Sequence, residues 1–358
     1  MPISVRTALS LDVVVSCVFR VKWDVPVKNK LPPERLISRY QFATFVLPLL
    51  VFATILFATN HSPAGQIMYI GTESGSTIKK YEDGLVSDFV TSPLFNAPGT
   101  LAVGLDGTLY VSNYNDNAIF NVSPSGIVTT ITTLPGPADV AGLAIDRSGN
   151  IYASMYGGGK IIKITPAGIT SDFAVTSLPA RGVFDSSGNF YVRDSVSANM
   201  KQYSPTGTLI GYHSSSVLNH MFDLAIDSQD NIYNGNAHGN PTRPTPNSNA
   251  IIKTPQPFGT PSVLFVPAGG AHPLSDPYSL AFDSGGNLWV TSLNNNIINQ
   301  YNSSGVYLSS ITLNFHPGII AFSVVPEPST GILAIIAGGF LLRRVRKSAW
   351  PTGSTINR

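Results

Sequence analysis

The chain has 358 residues, a formal net charge of +2 and a single cysteine. The charge is unevenly distributed, because residues 65–328 contain 10 lysines and arginines against 17 aspartates and glutamates, a net charge of −7. An acidic central region is a poor candidate for nucleic-acid binding, which requires clustered Lys and Arg. Cys17 precedes this region, which therefore has no thiol for a disulfide or a thiolate metal site.

The N-terminal segment has the layout of a secretory leader. Basic residues between Lys28 and Arg39 precede residues 42–58, an apolar stretch interrupted by two threonines. Ser62 and Ala64 provide the small side chains that a signal peptidase requires. The sequence therefore predicts a leader over residues 1–64, processing by signal peptidase and a mature chain that begins near Gly65.

A short motif recurs through the central region at intervals of roughly 40 residues. Its most regular copy is Gly142–Tyr152 (GLAIDRSGNIY), and related copies are Leu101–Tyr110, Gly182–Tyr191, Leu224–Tyr233 and Leu280–Trp289. The aspartates predicted to anchor these copies are Asp106, Asp146, Asp185, Asp227 and Asp283. Further β-like runs follow each copy, and four short strands per repeat is the period of a propeller blade.

The Asp-x-x-Gly-Asn element of the repeat predicts a tight hairpin between the first two strands of each blade. Asp caps such a turn through its side chain, while Gly and Asn tolerate left-handed backbone. Because the aspartates recur in the same turn, a structural role is preferred over a catalytic one.

The number of second-strand cores predicts an all-β, six-bladed β-propeller over residues 65–324. The first core, Ile67–Tyr69, has no innermost strand before it in the sequence. Residues Gly318–Val324 (GIIAFSV) resemble the missing strand, and their pairing beside the first core would close the ring and remove exposed edges.

The repeats resemble NHL repeats and the wider gluconolactonase-like six-bladed propellers, a likeness that reports fold better than chemistry. Enzymes of the gluconolactonase type hold a divalent metal at the axis with one Glu, one Asn and one Asp. Glu73 suits the first of these roles, and no motif transfers the other two. Virginiamycin-lyase-type propellers, which rely on histidine, are a second resemblance.

Loops leading into the innermost strands carry candidate site residues. Asp139, His220, Asp276 and His316 lie seven residues before an anchoring position, so we expect them at one rim of the axis. Imidazole and carboxylate together suit a divalent cation or acid–base chemistry. The alternative is an ordinary polar rim. Glu73, Asn113 and Asp194 are expected on the same face.

Three aromatic residues are candidates for stacking on sugar rings. Tyr114 and Tyr156 fall in loops and are the better candidates, whereas Trp289 falls in a predicted second strand and is expected in the core.

The C-terminal segment resembles the PEP-CTERM sorting signal of Gram-negative bacteria. Pro326-Glu327-Pro328 is followed by an apolar run over residues 331–342, a predicted sorting helix, and then by basic residues beginning with Arg343 and Arg344. The resemblance implies recognition by an exosortase, passage through an inner-membrane precursor, and delivery to the cell surface or extracellular matrix. We predict a sorting signal over residues 325–347 and a tail over 348–358.

These observations favour an exported binding or scaffold module of the envelope or exopolysaccharide matrix, with a matrix glycan as its ligand. Two alternatives stay open. One is a propeller enzyme, a metal-dependent lactonase or a lyase, that uses the rim of His and Asp residues. The other is a structural matrix protein without a specific ligand.

Overall fold

A computed structural model describes residues 65–72, 75–136, 139–194, 199–218, 221–236 and 247–323. The predicted leader, sorting signal and tail lie outside these residues. In chain order the strands are β1 (Met68–Thr72), β2 (Thr77–Glu82), β3 (Leu85–Thr91), β4 (Pro98–Val103), β5 (Leu109–Asn113), β6 (Ala118–Val122), β7 (Val128–Thr133), β8 (Val140–Ile145), β9 (Ile151–Met155), β10 (Lys160–Ile164), β11 (Thr170–Val175), β12 (Pro179–Phe184), β13 (Phe190–Asp194), β14 (Asn199–Tyr203), β15 (Leu209–His213), β16 (Met221–Ile226), β17 (Ile232–Asn236), β18 (Ala250–Thr254), β19 (Val263–Val266), β20 (Pro277–Phe282), β21 (Leu288–Ser292), β22 (Ile297–Tyr301), β23 (Tyr307–Thr312) and β24 (Pro317–Phe322).

The strands form six four-stranded antiparallel sheets, which confirms the six-bladed propeller. Blade 1 has the order β24-β1-β2-β3, and blades 2 to 6 each use four consecutive strands, from β4–β7 through to β20–β23. Leu293–Asn295 forms a single 3-10 turn. Within the described ranges, no helix has the length and apolar character needed to span a membrane.

The ring closes between the first and last strands, as the sequence predicts. Met68 pairs with Phe322, and Ile70 pairs with Ile320. Ser323 extends the closure, because its backbone N donates to the Ile67 carbonyl at 2.7 Å and its Oγ accepts from the Ile67 N at 2.8 Å. The closing strand begins at Pro317, one residue before the predicted start, and Val324 lies outside the described residues.

The hydrophobic core is divided into six clusters, one between each pair of neighbouring blades. Trp289 shows how a repeat position serves this packing: it is 1% exposed and packs with Met68 and Ile320 of blade 1. Trp289 is therefore a core residue, as predicted. Since each blade buries a sheet face against the next blade, the pairing of β24 with β1 completes the packing between blades 6 and 1.

The anchoring aspartates are hydrogen-bond acceptors in the turn between the first two strands. In blade 3, Asp146 accepts from the backbone N atoms of Ser148 and Asn150, from Asn150 Nδ2 and from the Tyr152 hydroxyl. Asp185, Asp227 and Asp283 accept from the Asn and aromatic residues at the same offsets. The structural interpretation of these four residues is confirmed.

Asp106 is not an anchor, and this prediction was wrong. The turn of blade 2 is closed by Gly104, whose N donates to the Thr108 carbonyl and whose carbonyl accepts from the Gly107 N. Asp106 occupies the third position of the turn and caps Thr108 from there. The Asp-Gly pair imitates the repeat two residues out of register, which is why the sequence spacing misassigned it.

Candidate functional site: a cavity at the propeller axis

A cavity of about 720 Å³ lies where the innermost strands surround the axis, at the end opposite the aspartate turns. Its volume falls within the ~300–1,000 Å³ range of small-molecule sites. Described residues of five blades contribute to the wall: Thr72, Ala97, Pro98, Gly99, Tyr114, Asp139, Val140, Ala141, Tyr156, Ala180, Arg193, Tyr278, Gly318 and Ile319. Small residues near the inner strands leave the space open, while the three tyrosines, Asp139 and Arg193 supply its polar groups.

Neighbouring blades bring Tyr114 and Asp139 together. Tyr114 follows β5 of blade 2, and Asp139 precedes β8 of blade 3. Their side chains are hydrogen-bonded. Burial raises the pKa of the Asp139 carboxyl above its ordinary value, and the bond from Tyr114 opposes that rise. Burial, followed by the charge of Asp139, raises the pKa of the Tyr114 hydroxyl.

Tyr156 and Arg193 continue the polar wall. Tyr156 follows β9 at the repeat position that Tyr114 holds after β5, and it interacts electrostatically with both Tyr114 and Arg193. Arg193, in β13, is 8% exposed. Burial lowers the pKa of its guanidinium to about 10, against the opposing influence of Tyr156 and Asp194, so it stays cationic at neutral pH.

A belt of polar contacts lies one residue deeper along the inner strands than the cavity wall. Arg181 donates through Nη1 to Asp223 Oδ2 at 2.9 Å and through Nη2 to the Leu101 carbonyl at 3.2 Å, which joins blade 4 to blades 5 and 2. Asp223 Oδ2 also accepts from Ser279 Oγ at 2.7 Å, and Ser279 Oγ accepts from the Ile320 N at 3.1 Å.

This belt adjoins the cavity wall along the inner strands. Arg181 follows the wall residue Ala180, and Ser279 follows the wall residue Tyr278. Gly142 leaves room for Arg181, since a Cβ at that position would lie only 2.4 Å from the Arg181 Cα. The belt therefore lies directly beside the wall, although Arg181, Asp223 and Ser279 are not among the described lining residues.

The predicted rim residues are distributed unequally around this cavity. Asp139 lines the wall, but Asp276 and His316 are not among the lining residues. His316 is exposed, with Nδ1 3.2 Å from the Leu293 carbonyl oxygen. His220 and Glu73 lie outside the described residues. No group of three or more His, Cys, Asp or Glu side chains in the described ranges is arranged to hold a metal ion.

Backbone geometry explains why Asp recurs at this rim. The residue seven positions before the turn anchor has positive φ in four blades, at Ala97, Asp139, Leu178 and Asp276, with values from 42° to 125°. Asp tolerates this region better than most residues do. The backbone N atoms of Asp139 and Asp276 are held in equivalent ways. They donate to Asn117 Oδ1 and Asn249 Oδ1, respectively, each in the preceding blade.

Asn113 and Asp194, which were expected in loops on this face, are the last residues of β5 and β13 and have structural contacts outside the cavity. Asn113 is fully buried, accepts from the Asn96 N and donates to the Leu94 carbonyl, so it holds the loop that enters β4. Asp194 is 3% exposed and forms an ion pair with Lys201.

Sequence reasoning identified Tyr114, Tyr156 and Asp139 but missed Arg193 and the belt. Both could have been found in the sequence, because their residue types differ from those at the same positions of the other repeats. The position of Arg193 is occupied in the other five blades by small residues: Gly71, Ser112, Ser154, Gly235 and Thr291. The belt position likewise contains Arg181 and Asp223 in adjacent blades, where the remaining blades have Thr100, Gly142, Ser279 and Ile319.

No known protein-family profile matches the chain, and no curated protein matches it. Solved structures do match, at low identity. A chain of the nidogen/laminin complex has a TM-score of 0.60 and 15% identity, covering 73% of this chain and 99% of its own. A catalytically inactive virginiamycin B lyase from Staphylococcus aureus with quinupristin has a TM-score of 0.55 and 17% identity, with coverages of 74% and 93%.

A gluconolactonase from Xanthomonas campestris has a TM-score of 0.51 and 15% identity, covering 70% of this chain and 81% of its own. These similarities include proteins of the lyase and lactonase types that the sequence resembles. At such identities they show the shared propeller fold alone.

Proposed function

We propose that the chain is an exported cell-surface propeller that binds a glycan of the envelope or exopolysaccharide matrix in its axial cavity. The observation that carries the proposal is the axial cavity with a wall that includes tyrosine, aspartate and arginine side chains. Tyrosine rings stack on sugar faces, and their hydroxyls hydrogen-bond to sugar hydroxyls. The exposed fraction of Tyr114, 48%, leaves that ring accessible.

Glycan binding by the full chain tests this proposal. Titration calorimetry with matrix oligosaccharides should give saturable binding that persists with added salt, because contacts inside a cavity are screened less than exposed ones. Tyr114→Ala and Tyr156→Ala should each weaken binding by about 3- to 10-fold, the loss expected for one aromatic contact.

Tyr212→Ala is the matched control, since Tyr212 is 70% exposed on the outer strand β15, away from the cavity wall. Equal weakening by this control would place the glycan elsewhere. No binding by any variant or by the wild type would favour the structural matrix protein without a ligand.

The export part of the proposal is supported by the leader that the sequence predicts over residues 1–64 and by the sorting signal that it predicts over residues 325–347. Replacing Pro326, Glu327 and Pro328 with alanine in a host with an exosortase should leave the precursor in the inner membrane. Cell fractionation and mass spectrometry check this. A surface-exposed wild-type protein that retains Arg343 and Arg344 would contradict processing at this signal.

A propeller enzyme is the second candidate, and the raised pKa of the Asp139 carboxyl favours it. A carboxyl group in a cavity with a raised pKa suits a general acid. The reaction would appear as new reducing ends or unsaturated products from a matrix glycan, and Asp139→Asn should abolish it. The metal-dependent version requires His220 and His316, so their double replacement by alanine should remove a bound divalent ion.

A further inference from the structure

The two formal charges among the described cavity-lining residues are those of Asp139 and Arg193. They differ in their surroundings. The Asp139 carboxyl already accepts a hydrogen bond from Tyr114, and burial disfavours its ionised form. Arg193 keeps its charge at neutral pH although it is 8% exposed. The cavity therefore offers a stable positive group and a weaker negative one.

Arg181 provides a contrast within the same molecule. It is held in the belt by Asp223 and by the Leu101 carbonyl, so its charge stabilises contacts between blades. Arg193 lies on the cavity wall, at a position where every other blade has Gly, Ser or Thr. Tyr156 and Asp194 favour its charged form, and the carboxylate of a ligand in the cavity would be a further acceptor for its N–H donors.

We propose that the cavity recognises an acidic sugar, whose carboxylate pairs with Arg193 while its ring lies against Tyr114 and Tyr156. This inference rests on the proposed glycan-binding function and specifies the class of glycan. The guanidinium is planar and presents parallel N–H donors that match the two oxygens of a carboxylate. The cavity of about 720 Å³ accommodates a sugar unit beside these side chains.

The test compares three probes on the full chain: glucuronic acid, glucose and the methyl ester of glucuronic acid. Glucuronic acid should bind about 10- to 100-fold more tightly than the other two, the range expected for charge-assisted hydrogen bonds. The methyl ester keeps the ring and its hydroxyls and replaces the charged carboxylate with a neutral ester. This comparison needs no variant, so misfolding cannot affect it.

Variants then locate the charge contact. Arg193→Gln should abolish the preference for glucuronic acid, and Arg193→Lys should retain part of it, because Lys keeps the charge without the two parallel donors. Arg147→Gln is the control, since Arg147 is exposed in the turn at the opposite end of β8. Its variant should keep the full preference.

The outcomes separate the two proposals. Equal affinity for glucose and glucuronic acid would overturn the acidic-sugar inference and leave glycan binding standing. A preference that survives Arg193→Gln in a folded protein would also overturn it. Failure of all three sugars and of matrix oligosaccharides to bind would overturn the glycan-binding function itself.

Discussion

Strand β8 has an aspartate next to each end, and the fold treats the two carboxyl groups differently. Burial alone would raise the pKa of Asp146, yet bonds from Asn150, Tyr152 and Ser148 outweigh it and hold that pKa below its ordinary value. At the other end, burial raises the pKa of Asp139 despite a bond from Tyr114. At the turn end the hydrogen bonds outweigh burial, whereas at the cavity end the bond from Tyr114 does not. Carboxyl groups perturbed in this way by burial are common at functional sites.

The largest loss of stability is expected at Asp223, a third carboxylate that lies between the cavity end and the turn end of the inner strands. Asp223→Ala removes the partner of Arg181 and the acceptor of Ser279, so it should lower the free energy of unfolding by about 3–5 kcal/mol, the usual cost of breaking a buried pair. Urea unfolding measures this loss. The exposed control Arg147→Ala should stay within about 0.5 kcal/mol of wild type. A loss as small as that of the control would show that the belt does not hold the ring.

Replacing each of the two aspartates beside β8 tests directly whether the turn end is structural and the cavity end is functional. Asp146→Ala removes an acceptor of four hydrogen bonds and should lower the free energy of unfolding by about 1–3 kcal/mol, without changing glycan affinity. Asp139→Asn keeps a residue that tolerates positive φ and should change stability by less than about 0.5 kcal/mol, while it weakens ligand binding. The reverse pattern would mean that the cavity face is the structural one.

The smallest effect expected is a difference in pH dependence. The raised pKa of Asp139 means that the folded state holds a proton the unfolded state has released, so its contribution to stability falls as pH rises from the ordinary value of 3.8 through the raised pKa. Asp146 has the opposite sign: its contribution is present above 3.8 and is lost as pH falls through its lowered pKa. Carbon-detected NMR titration of both carboxyl groups checks the directions. If both pKa values were shifted in the same direction, the distinction between the turn end and the cavity end would be contradicted.

The blade pattern was predictable because each repeat carries its own turn chemistry. Asp146 and Asn150 fix a hairpin from local hydrogen bonds, and the same local chemistry recurs at Asp227 and Asn231. The closing strand was also predictable, since its sequence imitates the innermost strands. The error at Asp106 has a physical origin: blade 2 builds the same turn on Gly104, so the side chain that marks the repeat elsewhere is absent there.

The cavity was less predictable because its contacts join separate blades. Tyr114 and Asp139 were both candidates from their loops, but their pairing depends on how blades 2 and 3 pack. Arg193 lies inside a strand, where sequence alone does not show which face points toward the axis. Once the register is known, a charge at a repeat position otherwise occupied by Gly, Ser or Thr becomes a signal of function.

The ring closure also sets an order of events for a newly made chain. Ile67 and Ser323 are hydrogen-bonded partners 256 positions apart. At a synthesis rate of ~5–20 residues per second, the ribosome needs roughly 13 to 50 s to deliver the second partner after the first. During that interval β1 has one unpaired edge, which is a template for pairing with other chains. Blade 1 is thus the first blade to be synthesised and the last to be completed.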